Sequence, residues 1–523
     1  MKGKKLLLAA AAAALYALLL ILLTAVEKTS PDASIVSIPL AVWYSITTLT
    51  TVGYGDLYPV TVAGHFIGVV FQFLSIGILA ILIGAFVSML QGKILPLIRL
   101  RASRKKVWYV FPKTSSDMVP AVRALAASLC AEDPKRVVIF CGEAGEIAEA
   151  SDGIPFIRSP IGPAALAHMK GDGRISVFCM DGSSAGNERL ARELESSDCE
   201  VYCMTEHEPD RIPKRHHFFD PFDCCARLYW RRFPLCSDDE TVVIIGEGKY
   251  AEAILACGLE LNVTGCEMHT QYVVFGSYDN FLRNHHQLSA FLSLGAPDPH
   301  RDSLLVSKQA WNADPELLRS ASRVVFCADC EADSLEKLTE LNRFFPVSGA
   351  IHAKISLPFD DVSCFGRTEE IFSPELVIRA VLNETAIRMN EIYRSSAQGN
   401  APAWDGLSSF VRRSNIASAE HLRVKVRILL GGEAIGDKPL TAEVCKKAYA
   451  VFASADEEQR ERFRRIEHMR WMRFHFMNNW RFAEKRNNAA RLHPLLVPYE
   501  QLSHEDQLKD DFAWKLLRDL SED

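Results

Sequence analysis

The chain has 523 residues, room for about three or four compact units, and its 59 Lys and Arg against 65 Asp and Glu leave a net charge of −6. That balance gives no basis for nucleic-acid binding, and an apolar content of 48% makes any membrane-embedded part a minority of the chain. All 14 cysteines lie at or beyond Cys130 with irregular spacing, which suits a reducing cytosol better than a disulfide framework.

The first residues are basic (Lys2, Lys4, Lys5), and 6–26 is an uninterrupted run of apolar and small residues. At about 20 residues per crossing this predicts one transmembrane helix. A secretory signal would need an apolar core of only about 7–15 residues and a small-residue cleavage site. A short polar turret at 27–37 follows, and 38–49 reads as a helix too short to cross. Such a re-entrant segment is stable at membrane depth only where it is buried in protein or lines water. Its carboxyl end, carrying partial negative charge, would favour a cation.

That half-helix runs into Thr51-Val52-Gly53-Tyr54-Gly55-Asp56. A loop that replaces the water around an ion must aim a stack of backbone carbonyls at one axis, with dihedrals that glycine tolerates and L-residues resist. Gly53 and Gly55 alternate with Val52 and Tyr54, whose side chains then point away into packing. Thr51 can add a hydroxyl oxygen and Asp56 places a carboxylate at the outer mouth. Trp43 and Tyr44 are expected to pack behind this loop as a cuff near Tyr54, the alternative being interfacial aromatics. The stretch resembles the selectivity filter of potassium channels. The resemblance implies K⁺ as permeant ion, held by the backbone of Thr51, Val52, Gly53 and Tyr54, and, since one stretch supplies a quarter of a ring, a homotetramer.

A second crossing is expected at 61–90, with Gln72 and Ser75 facing a cavity or a neighbouring helix, and Gly77 and Gly84 serving either as a gating hinge or as close-packing positions. Lys93, Arg99, Arg101, Arg104, Lys105 and Lys106 follow it. Basic residues at both ends predict cytoplasmic termini of a multi-pass protein in a bilayer, which the resemblance to prokaryotic channels described below implies is a prokaryotic plasma (inner) membrane. No arginine-studded helix precedes the pore, so no voltage sensor is expected.

Beyond 106 the pattern becomes short apolar strands (107–111, 137–141, 175–180, 201–204) separated by helices such as 116–130 and 185–196. This predicts parallel βαβ units of Rossmann type. The first strand leads into Pro112-Lys113-Thr114, without a glycine fingerprint. A second unit opens at 241–245 and runs into Gly246-Glu247-Gly248-Lys249-Tyr250-Ala251. That G-x-G-x-x-A lies between a strand and a helix, the context in which it cradles a pyrophosphate. Glu267, about twenty residues on, falls where a ribose-binding acid would lie. A regulatory nucleotide is one expectation, and a Rossmann-like sheet kept for its shape, with Glu247 repelling phosphate, is the other. Strands at 272–275, 324–326 and 351–355 continue this sheet. Cys327 and Cys330 read as thiols at a strand end, His285-His286 as ordinary polar residues, and the acidic stretches 238–240 and 360–361 as solvated surface. No nucleophile–base constellation is apparent, so the chain is not expected to be an enzyme. The architecture resembles prokaryotic potassium channels gated by cytoplasmic regulator-of-conductance domains, which implies that a small ligand expands a ring and pulls on the inner helices.

A linker is expected at 395–415, then a helical module at 416–523. Glu467-His468-Met469-Arg470-Trp471, Asn479-Trp480-Arg481-Phe482 and the stretch from Leu492 to Leu502 resemble the repeat of ryanodine receptors, departing at its turn. In that resemblance Trp471 and Trp480 wall a groove for a planar base, with Arg470 or Arg473 reaching a phosphate and His493 close by. Otherwise the tryptophans are core residues. The expected organisation is therefore a pore (1–95), a linker (96–106), two Rossmann-like domains (107–235 and 236–394), the second linker and the helical module. A membrane-tethered nucleotide-dependent enzyme or scaffold with a vestigial pore is the rival reading. A potassium-uptake subunit would need several filter loops in one chain.

Overall fold

The computed structural model describes residues 2–522 except 105, 133–135, 143–146, 148, 171–173, 236–238, 267–268, 397–400 and 433–439. The chain divides into two compact units, Met1–Ser103 and Arg104–Asp523.

The first unit is three helices and a loop. The Lys2–Glu27 helix has 26 residues, about 39 Å at 1.5 Å per residue. Ile38–Leu49 is the half-length helix, with a proline in its first turn where the missing N–H costs nothing. Val62–Met89 begins on Thr61, whose hydroxyl accepts from Gly64 N at 3.0 Å. Leu23, Ile35, Ala41, Tyr44 and Phe71 form a small core where the three helices meet. Glu27 locks the arrangement. It is buried, and its carboxylate accepts from Val60 N (2.9 Å), Thr61 N (3.1 Å) and Thr61 Oγ1 (2.7 Å), tying the end of the first helix to the start of the third. The turret therefore begins one residue later than the sequence suggests, because Glu27 is a clamp and not a solvated acid.

Among the described residues, the continuous helical run Val62–Ala102 is long and apolar enough to cross a membrane, and only 12% of its most apolar window is buried inside the chain. Phe66, Phe73 and Ile81 stand exposed along it, a surface that requires lipid or other copies to cover it. The run changes to π-helical geometry at Leu90–Ile94, where Leu95 N reaches back to Leu90 O. Pro96, which follows in the next turn, has no N–H to give to Gly92 O, and the ladder shifts by one residue to compensate.

The second unit contains two doubly wound parallel sheets. The first is built from β1 (Trp108–Phe111), β2 (Val137–Cys141), β3 (Phe156–Ser159), β4 (Ile175–Cys179), β5 (Glu200–Met204) and β6 (His216–Phe219), in the order β3-β2-β1-β4-β5-β6. The second is built from β7 (Thr241–Ile245), β8 (Gln271–Phe275), β9 (Ser293–Leu294), β10 (Ser303–Ser307), β11 (Arg323–Phe326), β12 (Ala350–Lys354) and β13 (Val362–Phe365), in the order β13-β12-β11-β7-β8-β10-β9. Every pairing within the two sheets is parallel. In each sheet the order reverses beside the first strand, and ligands of such sheets bind outside the strands' carboxyl ends at that point.

Helices Ser409–Leu429, Ala442–Ser454, Glu457–Met477 and Asp511–Asp519 make the carboxyl-terminal module around Trp514. The expected 395–415 linker is shorter than predicted. Glu384–Ser396 extends into it from one side, and Ser409–Leu429, capped by Ser408 on Val411 N, begins inside it from the other. The acidic stretch at 238–240 is also not all solvated: Glu240 is buried and pairs with Arg323 at 2.9 Å.

Candidate functional site

In the first unit the half-helix ends at Thr50, and the backbone then turns so that Val52 N and Gly53 N both donate to Thr47 O, at 3.0 and 3.2 Å. Thr51, Gly53 and Gly55 have φ of +61°, +53° and +76°, whereas Val52 and Tyr54 are not among the positive-φ residues. Alternating handedness turns successive carbonyls towards one side, the geometry a carbonyl filter needs. A Cβ at Gly53 or Gly55 would meet no atom of this chain within 4 Å, so glycine is needed there for its dihedrals and not for space. Thr51 adopts the same region despite its branched side chain, a strain of the kind that clusters at functional loops.

Trp43 supports this loop twice: its Nε1 donates to Asp56 Oδ2 at 2.9 Å, and its ring stacks on Tyr54 at 6.0 Å and 2°. Tyr44 does not share that role. One residue along the helix it points about 100° away, packs edge-on to Phe71 at 6.4 Å, and faces Gly68 of the third helix. The expected cuff is thus Trp43 alone within one chain. Gly77 and Gly84 lie in regular helix with no contact within 4 Å of a built Cβ. Ser75 lies mid-way along the same helix. The departure from α geometry sits further on, at Leu90–Ile94.

In the second unit the G-x-G-x-x-A turn has the shape its sequence implies. A side chain on Gly246 would overlap the carbonyl of Cys327. Gly248, at φ +98°, precedes the Lys249–Leu261 helix, in whose first turn Ala251 is fully buried. The anion position is filled from within. Asp329, just past β11, accepts from Lys249 N at 3.2 Å and from Tyr250 N at 3.1 Å, and a side chain on Gly248 would overlap its carboxylate. Glu247 turns away and accepts from Ser277 N at 3.1 Å. Glu267 lies outside the described residues.

The first Rossmann-like unit repeats this device without glycines. Asp181, just past β4, accepts from Ser115 N at 2.7 Å, and Ser115 Oγ accepts from Gly182 N at 3.0 Å. In both units the strand beside the first one delivers an aspartate to the turn where a phosphate would sit. The cue lay in the sequence as Met180-Asp181 and Ala328-Asp329, but only the strand order shows that these residues reach the turns.

Carboxyl ends of both sheets border one cleft of about 1310 Å³, whose walls include Asp117, Glu206, Lys249, Tyr250, Asp329 and Lys354. Lys249 pairs with Glu206 across it, and Lys354 Nζ lies 4.0 Å from the centre of the Tyr250 ring. Burial pushes the Tyr250 hydroxyl up and raises Glu252 above the usual carboxylate range. Cys327 is buried, its thiol pushed up to about 12 by that burial, while Cys330 is exposed. The two do not form a common site. His285 Nδ1 is 2.7 Å from Met477 O, a structural bond.

The carboxyl-terminal residues form a packed interior. Arg470 is buried and bonded to Glu467 at 2.7 Å, and Lys425 reaches the same carboxylate at 2.6 Å. Arg473 pairs with Asp302 at 2.7 Å. Trp480 is buried and stacks on Phe410 at 5.1 Å, while Trp471 meets His475 at 4.0 Å and His493 edge-on at 4.9 Å. Burial holds His475 down at about 3 and His493 at about 4. The arrangement is that of core residues, with the arginines engaged by carboxylates of this chain.

Residues 6–92 match the model of a family described as ion channels. A voltage-gated potassium channel of Aeropyrum pernix is 42% identical over 66 residues, 13% of this chain and 22% of that protein. The potassium voltage-gated channel protein Shal of Drosophila melanogaster is 40% identical over 62 residues, 12% of this chain and 11% of that protein. The chain thus spans about a fifth and about a tenth of these curated relatives. A crystal structure of GsuK bound to ADP covers 72% of this chain and 99% of its own at 13% identity, with a TM-score of 0.34, too low for a shared fold to follow. Residues 6–92, with the filter loop inside them, thus match an ion-channel domain and are similar in sequence to potassium channels.

Proposed function

We propose that this chain is one subunit of a homotetrameric, potassium-selective channel in a prokaryotic plasma membrane, with both termini cytoplasmic. The observation that carries the reading is the alternation of φ along Thr51–Gly55, braced by Trp43 on Tyr54 and Asp56. Four such loops around an axis would present rings of carbonyls in place of the hydration shell of K⁺. The uncovered face of Val62–Met89 would meet lipid and the other subunits, and Gly77, Gly84 or the π-helical turn would absorb the bend of opening. Gly53→Ala or Gly55→Ala tests the assignment. Each is expected to abolish K⁺ selectivity or conduction while leaving the tetramer intact, and normal K⁺-over-Na⁺ permeability in either variant would defeat it.

The α/β layer is proposed to sense a small ligand in the cleft between the two sheets, with a nucleotide as the leading class. Support comes from the glycine turn, the amino end of the Lys249–Leu261 helix that follows it and the size of the cleft. Phosphate at that turn requires the Asp329 carboxylate to leave it. Binding would then be coupled to a movement of the β11 loop, which gives the ligand the differential affinity for two states that gating needs. Thermal shift of the full-length protein with adenine nucleotides is the test, and a shift that survives Gly248→Asp would place the ligand elsewhere.

A further inference from the structure

A second cavity lies away from that cleft, at the amino ends of strands in the second sheet. Its volume is about 430 Å³, within the range of small-ligand sites. Its walls include the Pro221–Arg232 helix, the carboxyl end of the Lys249–Leu261 helix, the amino ends of β11 and β12, and the Ser409–Leu429 helix of the carboxyl-terminal module. Among the described residues its walls carry six arginines (Arg227, Arg231, Arg232, Arg323, Arg423 and Arg427) and a single carboxylate, Glu420.

Arg227, Arg231, Arg232 and Arg323 meet carboxylates of this chain. Glu420 serves both Arg227, at 2.6 Å, and Arg231, at 2.5 Å, and the two guanidinium groups hold its carboxyl at about 2 against the opposing effect of burial. Asp223 lies 3.3 Å from Arg227, Glu240 pairs with Arg323, and Glu370 pairs with Arg232. Arg427 meets no carboxylate among the described residues. Its Nη1 donates to Leu235 O at 3.1 Å, and its Nε is buried with no hydrogen-bond partner. His352, also in the wall and buried, has an unpartnered Nδ1, and burial beside Arg323 keeps the ring neutral at about 3. Buried guanidinium groups are stable only when anions answer them, and the arginine fork matches phosphate and carboxylate oxygens in pairs.

The geometry points to a binding site for a compact, multiply charged phosphate-bearing anion in this arginine cavity. Base stacking is not part of it, because the face of Trp230 is covered by Arg323 at 5.6 Å and its Nε1 is bound to Ile254 O at 2.9 Å. An anion bridging Arg427 to the arginines of the Pro221–Arg232 helix would clamp the helical module to both Rossmann-like units. The site goes beyond the glycine-turn reading and stands whether or not the pore conducts.

Calorimetric titration of the full-length protein in detergent, with inorganic pyrophosphate and glucose 6-phosphate as separate probes, tests it. Saturable binding of one anion per chain is expected, weakened about tenfold or more by Arg427→Gln through loss of a charge-assisted pair. Arg427→Lys, which keeps the charge and the apolar stem, should fold and still bind more weakly than the parent. Arg319→Gln, at an exposed arginine of the Pro315–Ser320 helix, should bind as the parent does. Tighter binding of pyrophosphate assigns the site to free polyphosphate and tighter binding of the sugar ester to a metabolite; either upholds it. No saturable heat at millimolar probe, parental affinity in both Arg427 variants, or equal loss in Arg319→Gln would overturn it.

Discussion

Asp329→Asn separates an anion site filled by its own chain from one that was never functional. The Asp329 carboxylate accepts two N–H groups at the start of the Lys249–Leu261 helix. A negative charge there interacts with the helix dipole by about 0.3–1 kcal/mol, and bonds to a charged acceptor exceed neutral ones by about 1 kcal/mol. The substitution should therefore lower stability by about 1–2 kcal/mol. The same charge opposes any phosphate that approaches the turn, by about 4 kcal/mol at 4 Å and an effective dielectric of 20. Removing it is expected to raise nucleotide affinity by between about ten- and a thousandfold, with the upper end set by that Coulomb figure. The assay is thermal shift of full-length protein with ADP, parent against variant. The parent should show the higher melting temperature without ligand and the variant the larger rise with it. A variant of unchanged stability that gains no response to nucleotide would refute both the cap and the repulsion.

Two other predictions follow from buried groups. Glu27→Ala leaves Val60 N, Thr61 N and Thr61 Oγ1 without their acceptor, and at about 1–3 kcal/mol for an unsatisfied buried donor the full-length protein should melt at a lower temperature; unchanged thermal stability would count against the clamp. His475 has a folded pKa of about 3, below its unfolded value of 6.5, so its contribution is present above 6.5 and is lost as pH falls towards 3. Between pH 7 and pH 5 the parent should lose about 2 kcal/mol from this group that His475→Gln does not lose, so the gap in melting temperature between the two narrows on acidification. A gap independent of pH would show that His475 is not buried neutral.

The sequence was most informative where function constrains the backbone itself. The filter, the half-helix before it and the glycine turn are written in glycine spacing and length, and their local geometry follows. Alternation of apolar strands with helices identified β1, β2, β4 and β5 of the first sheet and β7, β8, β11 and β12 of the second, because β1 and β11 are buried throughout and β4 and β7 at all but one residue. It missed β3, β6, β9 and β13, edge strands with mixed exposure whose pairing is set by neighbours and not by their own pattern, and the interior strand β10, three of whose five residues are only half-buried. Residues that act through distant partners were also out of reach. Glu27 read as a turret acid, and neither Asp329 nor the six arginines of the second cavity drew any reading, since contacts separated by as many as 193 positions leave no local signature. Trp43 and Tyr44 were grouped because they are adjacent, yet helical geometry sends adjacent side chains to different faces.

The central claim is that this chain makes a potassium-selective pore, and the reversal potential of the purified protein in planar bilayers with K⁺ on one side and Na⁺ on the other tests it most directly. The account predicts a potential displaced strongly towards the K⁺ equilibrium value, and its collapse towards zero in Gly53→Ala wherever current remains. A parent protein whose reversal potential sits near zero under the same gradient would contradict it.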